Sequence, residues 1–390
     1  MNDFTFHNPT KVRFGRDQIK HLPEELKAFG TRVLLVYGGG SIKRSGLYDK
    51  LLGLLEEAGL TVFELPGVEP NPRHTTVNKG VQICRENQVD VILAVGGGST
   101  IDCAKAVAAT TFADTDNVWD IVQRKVTFDR ALPIVTVVTI AATGSEMDTG
   151  AVISNMDLNV KSGLGGPLVR PRVTFEDPEF TFTVPAYQTA CGSFDIMSHI
   201  FDVAYFSTQE QMDMLERIQE EVLKTVVKYA PVAIAQPDNY EARANLMWAS
   251  SWALNDFLYC GVSQMTSCHA MEHELSAYYD ITHGLGLAIL TPRWLEYILD
   301  ETTAPKIAQF GRNVMGLSPS GNLMADAKAA IDALANFCFT TLGLESHLSA
   351  LGIGEENFGA MAQAACWGGE LKGFKPLKKE DILNIYRMCL

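Results

Sequence analysis

Residues 96–102 read GGGSTID, directly after the apolar run VDVILAV at residues 89–95. The run is typical of a buried strand, and the residues from Ser99 onward have helical spacing. Three glycines at such a junction let backbone N–H groups approach an oxyanion, and the helix dipole adds partial positive charge. This stretch therefore predicts a phosphate or pyrophosphate site, with Ser99 or Thr100 as the helix N-cap. A tight turn that needs glycine at positive φ is the alternative.

Strand and helix signals alternate through the whole first half of the chain. The strand-like runs lie at 31–37, 60–67, 89–95 and 132–139, and the helical patterns between them lie at 46–59, 75–87 and 99–111. Alternation of this kind predicts right-handed βαβ units and a parallel sheet that is covered on both faces.

The second half has a different pattern. Shorter β-like passages at 150–155 and 172–178 are followed, from Pro185 onward, by long helical stretches such as 213–230 and 325–343. We therefore predict an α/β protein with a Rossmann-like, parallel-sheet dinucleotide-binding domain over residues 1–180. An all-helical metal-binding domain is expected over residues 181–390.

Bulk composition excludes several classes of protein. The chain has 390 residues and a net charge of −14 without a basic cluster, which disfavours nucleic-acid binding. Its N-terminus does not resemble a signal peptide, and no apolar run approaches the ~20 residues of a membrane span. Eight cysteines without a CxxC motif favour reduced, mostly buried thiols and a cytoplasmic location.

A second glycine run, YGGGSIKRSG at 37–46, follows the first predicted strand of this alternating region. In a dinucleotide-binding fold, an acidic residue near such a strand end commonly holds the ribose 2′-hydroxyl. This place offers only glycines, Ser41, Lys43 and Arg44, a set that suits the 2′-phosphate of NADP. A surface loop with two solvated cations is the alternative.

Histidines and an aspartate recur at helical spacing in the second half. Asp195 and His199 are four residues apart, as are His269 and His273, and His283 follows His269 by fourteen residues. Fourteen residues correspond to nearly four helical turns, or to fewer turns and a bend. Two facing helices could present Asp195, His199, His269 and His283 to one Zn²⁺ or Fe²⁺. A lone helical histidine is more often an ordinary polar residue, so both interpretations stay open at this point.

Longer stretches carry a family resemblance. They are FHNPTKVRFG at 6–15, GVEPNP at 67–72, ATGSEMDTGAVISN at 142–155, DIMSH at 195–199 and CHAMEHELSAYYDITHGLGLAILTP at 268–292. Together with GGGSTID, they resemble the iron-containing (group III) alcohol dehydrogenase family essentially from end to end. Within that family, the chain is most similar to the branch of butanol dehydrogenases and NADPH-dependent aldehyde reductases.

The resemblance implies a role for each matching residue. The implied metal ligands are Asp195, His199, His269 and His283. The implied cofactor-binding residues are Gly38, Gly39, Gly40, Ser41, Asn71, Gly97, Gly98, Ser99, Asp102, Thr139, Thr143 and Lys161. His273 matches a histidine near the nicotinamide and is a candidate for relaying the alcohol proton.

The implied activity is metal-dependent hydride transfer between NAD(P)H and short- to medium-chain aldehydes or primary alcohols. NADP is the expected cofactor, with NAD as the alternative, and the metal is Fe²⁺ or Zn²⁺. A homodimer is expected from family habit and from the edge-like N-terminal strand signal. A metal-dependent hydrolase, whose glycines would bind the phosphate of a small molecule, is the alternative function.

Overall fold

The computed structural model describes residues 2–207, 212–263 and 265–390. The chain divides into two compact units, one formed by residues 8–184 and the other by residues 185–390 together with the first seven residues.

The unit of residues 8–184 is built on a parallel sheet. Its strands are β1 (Lys11–Phe14), β2 (Arg32–Tyr37), β3 (Thr61–Leu65), β4 (Val91–Gly96), β5 (Ile134–Val138), β6 (Gly150–Asn155), β7 (Val160–Gly165) and β8 (Val173–Glu176). Six of them form one sheet in the order β1-β8-β5-β4-β2-β3, and every pairing in it is parallel. The predicted Rossmann-like sheet is therefore confirmed, and the order places β4, which precedes GGGSTID, between β5 and β2.

Helices cover this sheet. They are α1 (Leu22–Lys27), α2 (Ser41–Arg44), α3 (Leu47–Glu57), α4 (His74–Glu86), α5 (Gly98–Thr111) and α6 (Val118–Val122). Alternate residues of the central strands, such as Val33 and Leu93, pack with Leu22, Leu51 and Leu55 of α1 and α3 in one buried cluster. Because successive strand residues point to opposite faces, the intervening side chains face the other side of the sheet, where α5 contacts β4 and β5.

A two-stranded antiparallel ribbon of β6 and β7 completes this unit. Of these two strands, only β6 was predicted from the sequence. The segment VKSGLG of β7 has two glycines and no regular polar–apolar alternation, and it is a strand because it pairs with β6 along its full length.

The second unit is helical. Its α-helices are α7 (Ala186–Ile200), α8 (Asp213–Ala235), α9 (Tyr240–Ala253), α10 (Cys268–Tyr279), α11 (His283–Ile298), α12 (Ala304–Asn313), α13 (Leu323–Asn336), α14 (Phe358–Ala365) and α15 (Lys379–Met388). Two of them end in π-helical turns, at Phe201–Tyr205 after α7 and at Phe337–Thr341 after α13. The predicted helix at 325–343 therefore loses its α-helical geometry after Asn336.

None of the helices in the described part of the chain is both long enough and apolar enough to cross a membrane. All eight cysteines lie in the described residues, and all are buried and free, as the prediction of buried thiols requires.

Glu274 of α10 provides a pH-dependent contribution to stability. Burial raises the pKa of this carboxyl from 4.5 to about 7. The folded state therefore keeps the proton to higher pH than the unfolded state, and this contribution is lost as pH rises from about 4.5 to 7. We expect Glu274→Gln to remove up to about 3 kcal/mol of the pH dependence of unfolding between pH 5 and 8.

The measurement is denaturant unfolding of the parent and the variant at both pH values. Glu57→Gln, which replaces an exposed carboxylate on α3, is the matched control and should keep the parent's pH dependence. An unchanged pH dependence in Glu274→Gln would contradict the assignment.

Candidate functional site

Helix α7 supplies two polar side chains to the interior of the helical unit. Asp195 and His199 are 3% and 7% exposed, and Asp195 Oδ1 lies 3.7 Å from His199 Nδ1. They share one helix face because they are four residues apart. The spacing in the sequence predicted this shared helix face.

Helices α10 and α11 bring two further histidines to the same place. The ring of His269 lies with its centroid 4.9 Å from that of His199 and 5.4 Å from that of His283. His283 Nε2 is 3.8 Å from Asp195 Oδ1. The chain turns between α10 and α11 at Asp280, which has a left-handed φ of 52°. Three helices therefore contribute to the cluster, and the expectation of two facing helices was wrong. His269 and His283 lie on different helices, as the alternative of fewer turns and a bend predicted.

The donor atoms of this cluster suit a divalent cation. Ligand atoms of Asp195, His199 and His269 all lie within 4.8 Å of one another. His199 Nδ1 and His269 Nε2 are buried and have no hydrogen-bond partner among the described residues. Burial lowers the pKa of His199 well below its usual value, which favours the neutral imidazole that binds metals. Buried, unsatisfied nitrogens are costly, and coordination of a metal would remove that cost.

His273 lies beside this cluster. It follows His269 by one helical turn, is half-buried, and its ring centroid is 5.8 Å from that of His283. Together with Glu272 and His283 it forms a second group of donor atoms within 4.8 Å. Glu272 contacts Nδ1 of His283, and Nε2 of the same ring is directed toward Asp195.

The loop GGGST in the other unit is a narrow backbone turn. Helix α5 begins at Gly98, and its N-cap is Gly97, which makes no side-chain capping bond. The expectation of Ser99 or Thr100 as N-cap was wrong, because the N-cap, Gly97, lies two residues before Ser99 and three before Thr100. Gly97 has φ −93°, so positive φ does not explain the glycine either.

Close approach explains these glycines instead. A Cβ at Gly97 would lie 2.2 Å from Ile140 Cγ2, and one at Gly98 would lie 2.4 Å from Thr143 Cγ2. The backbone of the loop after β4 is therefore packed against the loop after β5, with the first turn of α5 uncapped. This arrangement is a cradle for an anion such as a diphosphate.

The second glycine run lies next to this cradle. A Cβ at Gly38 would be 3.2 Å from the Val68 carbonyl oxygen and 3.9 Å from Thr100 Oγ1. Gly40 has a positive φ of 98° and serves as the N-cap of α2, which begins at Ser41. Strands β2 and β4 are adjacent and parallel, so their carboxyl ends bring the two runs together.

The remaining predicted cofactor residues lie around the same sheet edge. The Thr139 amide donates to the Gly96 carbonyl, which places Thr139 beside the cradle. Pro72, the neighbour of Asn71, accepts a hydrogen bond from the Ser154 amide, and Ser154 is paired with Lys161 across β6 and β7. Asn71 and Lys161 are each 8% exposed. The segment that contains Asn71 and the strand that contains Lys161 are thus both attached to β6.

The carboxylate of Asp102 on α5 accepts hydrogen bonds from two neighbouring segments of the unit. Its Oδ1 accepts a hydrogen bond from Ser145 Oγ at 2.7 Å, and its Oδ2 accepts one from the Val152 amide at 2.9 Å. Burial raises its pKa, and the positive charges of Lys105 and Lys161 oppose that effect. Both carboxylate oxygens therefore hold the loop after β5 and the strand β6 in place.

Comparison with known proteins decides the family. The model of iron-containing alcohol dehydrogenases matches residues 9–178, and the model of the C-terminal part of this family matches residues 189–390. The chain belongs to the iron-containing alcohol dehydrogenase family. The resemblance inferred from the sequence is thus confirmed.

Individual members of the family are similar over nearly the full length. The chain is 51% identical to NADH-dependent butanol dehydrogenase B of Clostridium acetobutylicum, over 99% of each chain. It is 36% identical to NADPH-dependent aldehyde reductase YqhD of Escherichia coli, over 90% of each. Its fold matches the crystal structure of NADH-dependent butanol dehydrogenase A from Thermotoga maritima with a TM-score of 0.94 and 36% identity, covering 100% of this chain and 99% of that one.

These relations make the protein an oxidoreductase, an alcohol dehydrogenase or aldehyde reductase that works with a nicotinamide cofactor and a metal. The expectation that the enzyme acts on alcohols and aldehydes is confirmed.

In this alcohol dehydrogenase, a fully buried lysine joins the cradle to the ribbon. Lys105 of α5 donates to Ser145 Oγ at 2.9 Å and to the Gly150 carbonyl at 2.8 Å, and it forms an ion pair with Asp148. It is 0% exposed. Lys105→Met should destabilise the protein by about 3–5 kcal/mol, because it leaves the Asp148 carboxylate without its cation.

The thermal midpoint measures this effect, and a decrease of about 5 °C is expected for a chain of this length. In the double variant Lys105→Met/Asp148→Asn no unpaired charge remains in this pair, so part of the loss should be recovered. A decrease of less than about 2 °C in the midpoint of Lys105→Met corresponds to the loss of one weak contact. That result would show that the ion pair does not stabilise the fold.

Proposed function

We propose that the chain is a metal-dependent reductase of short- to medium-chain aldehydes that also oxidises the corresponding primary alcohols. The observation that carries this proposal is the convergence of Asp195, His199, His269 and His283, with two buried imidazole nitrogens left for a metal. Relatives named butanol dehydrogenase and aldehyde reductase support substrates of this size and chemistry.

In this proposal, Asp195, His199, His269 and His283 hold one Fe²⁺ or Zn²⁺, since both metals accept imidazole and carboxylate ligands. A metal held by these residues would supply a Lewis acid, which would polarise an aldehyde carbonyl and lower the pKa of an alcohol. The helices keep the ligand side chains fixed before the metal arrives. His273, half-buried beside His283, is proposed to relay the alcohol proton.

The α/β unit is proposed to hold the dinucleotide. Backbone N–H groups of Gly97, Gly98 and Ser99 would bind the diphosphate at the start of α5, where the helix dipole favours negative charge. Thr139 and Thr143 lie at the adjacent strand end, and Asn71 and Lys161 extend the site along β6 and β7. Asp102 stays a proposed cofactor-binding residue, and the hydrogen bonds that it accepts from Ser145 Oγ and the Val152 amide hold its carboxylate in place.

NADPH is the proposed preference. Gly38, Gly39, Gly40 and Ser41 leave the end of β2 without a carboxylate for the ribose 2′-hydroxyl. The nearby acid Glu64 is engaged instead, because its oxygens accept hydrogen bonds from the hydroxyls of Tyr37 at 2.6 Å and Tyr48 at 3.0 Å.

Lys43 adds positive charge at this place. Its ammonium lies 4.3 Å from the ring centroid of Tyr48 and 5.1 Å from that of Tyr37, just after Ser41 on α2. The two rings hold the lysine side chain beside the glycine run, where its charge suits a 2′-phosphate.

Gly38→Asp should reverse the preference between the two cofactors. A carboxylate there would repel a 2′-phosphate and accept a hydrogen bond from a 2′-hydroxyl, so kcat/KM for NADPH should fall at least about tenfold. The value for NADH in the same variant serves as the control and should change much less. Equal losses with both cofactors would indicate general damage by the crowded Cβ rather than charge selection.

Assembly and location stay predictions. Strand β1 lies at the end of the sheet and pairs with β8, which agrees with the edge-like signal from which a homodimer was predicted. The buried free cysteines support the proposed cytoplasmic location.

The test of the proposed function is aldehyde-dependent oxidation of NADPH and of NADH, followed by absorbance, with butyraldehyde and with longer and shorter aldehydes. Turnover that favours NADPH would support the whole proposal. Turnover that favours NADH would keep the reductase and reject the 2′-phosphate site. No oxidation of either cofactor, together with release of phosphate from phosphorylated small molecules, would favour the hydrolase.

A further inference from the structure

Two buried carboxylates lie behind the candidate metal ligands. Asp202, in the π-helical turn after α7, is 1% exposed, and Glu272 of α10 is 0% exposed. Asp202 Oδ2 lies 2.9 Å from Nδ1 of His269, and Glu272 Oε2 contacts Nδ1 of His283. Nothing in the local sequence marks either acid, because each meets its histidine only in the folded protein.

The two nitrogens of each imidazole have different surroundings. In His269, Nδ1 faces Asp202, while Nε2 is buried without a hydrogen-bond partner in the described ranges. In His283, Nδ1 faces Glu272, while Nε2 is directed to Asp195 at 3.8 Å. Both histidines thus turn the same nitrogen toward a carboxylate and the other toward the cluster.

We propose that Asp202 and Glu272 are positioning residues for the metal site. Each accepts a hydrogen bond from Nδ1–H of one histidine and so fixes the tautomer whose Nε2 carries its lone pair toward the cluster. The inference rests on the metal site proposed above. Such outer partners orient ligand rings and increase the basicity of the coordinating nitrogen.

Asp202 is held rigidly enough for this role. Its Oδ1 accepts hydrogen bonds from the amides of Ser267 at 2.6 Å and Cys268 at 3.1 Å, and its Oδ2 accepts one from the amide of His269 at 2.8 Å. These amides belong to the start of α10, where a negative charge is favourable. One carboxylate therefore fixes both the backbone and the ring of His269.

Glu272 is fixed from the other side. Its Oε1 accepts a hydrogen bond from the Ser276 hydroxyl, one turn further along α10. Helix α11 passes close to it, since a Cβ at Gly286 would lie only 2.8 Å from Glu272 Cγ. The glycine lets α11 approach until His283 meets the carboxylate.

The two pairs connect the helices in a series. The segment that follows α7 orients the histidine of α10, and α10 orients the histidine of α11. Each helix that supplies a ligand is thereby tied to the next one through a carboxylate. The cluster is consequently preorganised before the metal is bound.

Zinc affinity tests the proposal without reference to activity. We would measure the dissociation constant of Zn²⁺ by competition with a chromogenic chelator for the parent, Asp202→Asn and Glu272→Gln. Both amides keep the shape of the side chain but lose the charge, and the dissociation constant should rise about 10–100-fold in each variant. The dissociation constant for NADPH should stay unchanged.

Glu220→Gln is the matched control. Glu220 is a buried carboxylate of the same helical unit, and it accepts hydrogen bonds from Tyr205 and Asn313. Its replacement should leave zinc affinity within about twofold of the parent, a difference of less than about 0.5 kcal/mol. If Asp202→Asn does not fold, Ser276→Ala removes a support of Glu272 and should still weaken zinc binding by a few fold.

The outcomes separate this inference from the metal site itself. Zinc affinity in folded Asp202→Asn and Glu272→Gln equal to that of the parent would overturn the positioning role. A parent protein that binds zinc no better than His269→Ala would instead overturn the metal site. A shift in the absorption spectrum of the Co²⁺-loaded variants would show that the ligand geometry has changed, which a purely structural role does not predict.

Discussion

His269→Ala is expected to abolish aldehyde reduction. The variant removes the buried Nε2 that has no partner among the described residues, and it also leaves the Asp202 carboxylate without the ring that it contacts. Loss of a metal ligand should remove several kcal/mol of transition-state stabilisation, so kcat/KM should fall about 10³-fold or more. Steady-state kinetics after addition of Fe²⁺ or Zn²⁺, together with the metal content of the purified protein, measure both effects.

Controls separate this loss from misfolding. His347→Ala replaces an exposed histidine that contacts Ser346, and it should keep full activity and metal content. NADPH should still bind to His269→Ala, since the glycine cradle belongs to the other unit. Retention of more than a tenth of the parental kcat/KM, a loss of less than about 1.4 kcal/mol, would contradict the ligand role.

Gly98→Val is expected to prevent cofactor binding while leaving the metal site intact. A Cβ at this position would already lie 2.4 Å from Thr143 Cγ2, and the two additional methyl groups of valine increase the overlap. The loop after β4 must move away, and its N–H groups then lose the diphosphate. Two hydrogen bonds to a charged group are worth about 3–6 kcal/mol, so the dissociation constant of NADPH should rise at least about 100-fold.

Fluorescence titration with NADPH measures this effect. Gly53→Ala is the control, because a Cβ at Gly53 on α3 meets nothing within 4 Å. That variant should bind NADPH as the parent does, and both variants should bind zinc normally. Unchanged NADPH affinity in Gly98→Val would place the diphosphate elsewhere.

Much of the fold was predictable from the sequence because buried parallel strands consist of almost uninterrupted apolar residues. Every residue of β4 is buried, and so is every residue of β5. Such strands differ clearly from the helical spacing between them. Strand β7 was not predictable, since only its pairing with β6 makes VKSGLG extended.

The candidate metal ligands were predictable to the extent that helical spacing places them on one face. The pairs Asp195–His199 and His269–His273 follow that rule within single helices. The packing of α7 against α10 and α11 is tertiary structure, and the spacing of residues within one helix does not determine it. The resemblance to a family supplied that information.

The supporting residues show the limit of local patterns most clearly. Asp202 and His269 are 67 positions apart, and Lys105 and Asp148 are 43 apart. Lys105 looks like an ordinary polar residue of GGGSTIDCAK, but α5 is buried along almost its whole length, so the lysine needs internal partners. The two hydrogen bonds that Asp102 accepts from Ser145 and the Val152 amide likewise appear only in the structure.

Metal-dependent turnover is the most direct test of the central claim. Protein freed of metal by a chelator should oxidise NADPH with butyraldehyde only after Fe²⁺ or Zn²⁺ is added back, and activity should reach its plateau near one metal ion per chain. Full activity in the chelated protein, confirmed to be metal-free, would contradict the account.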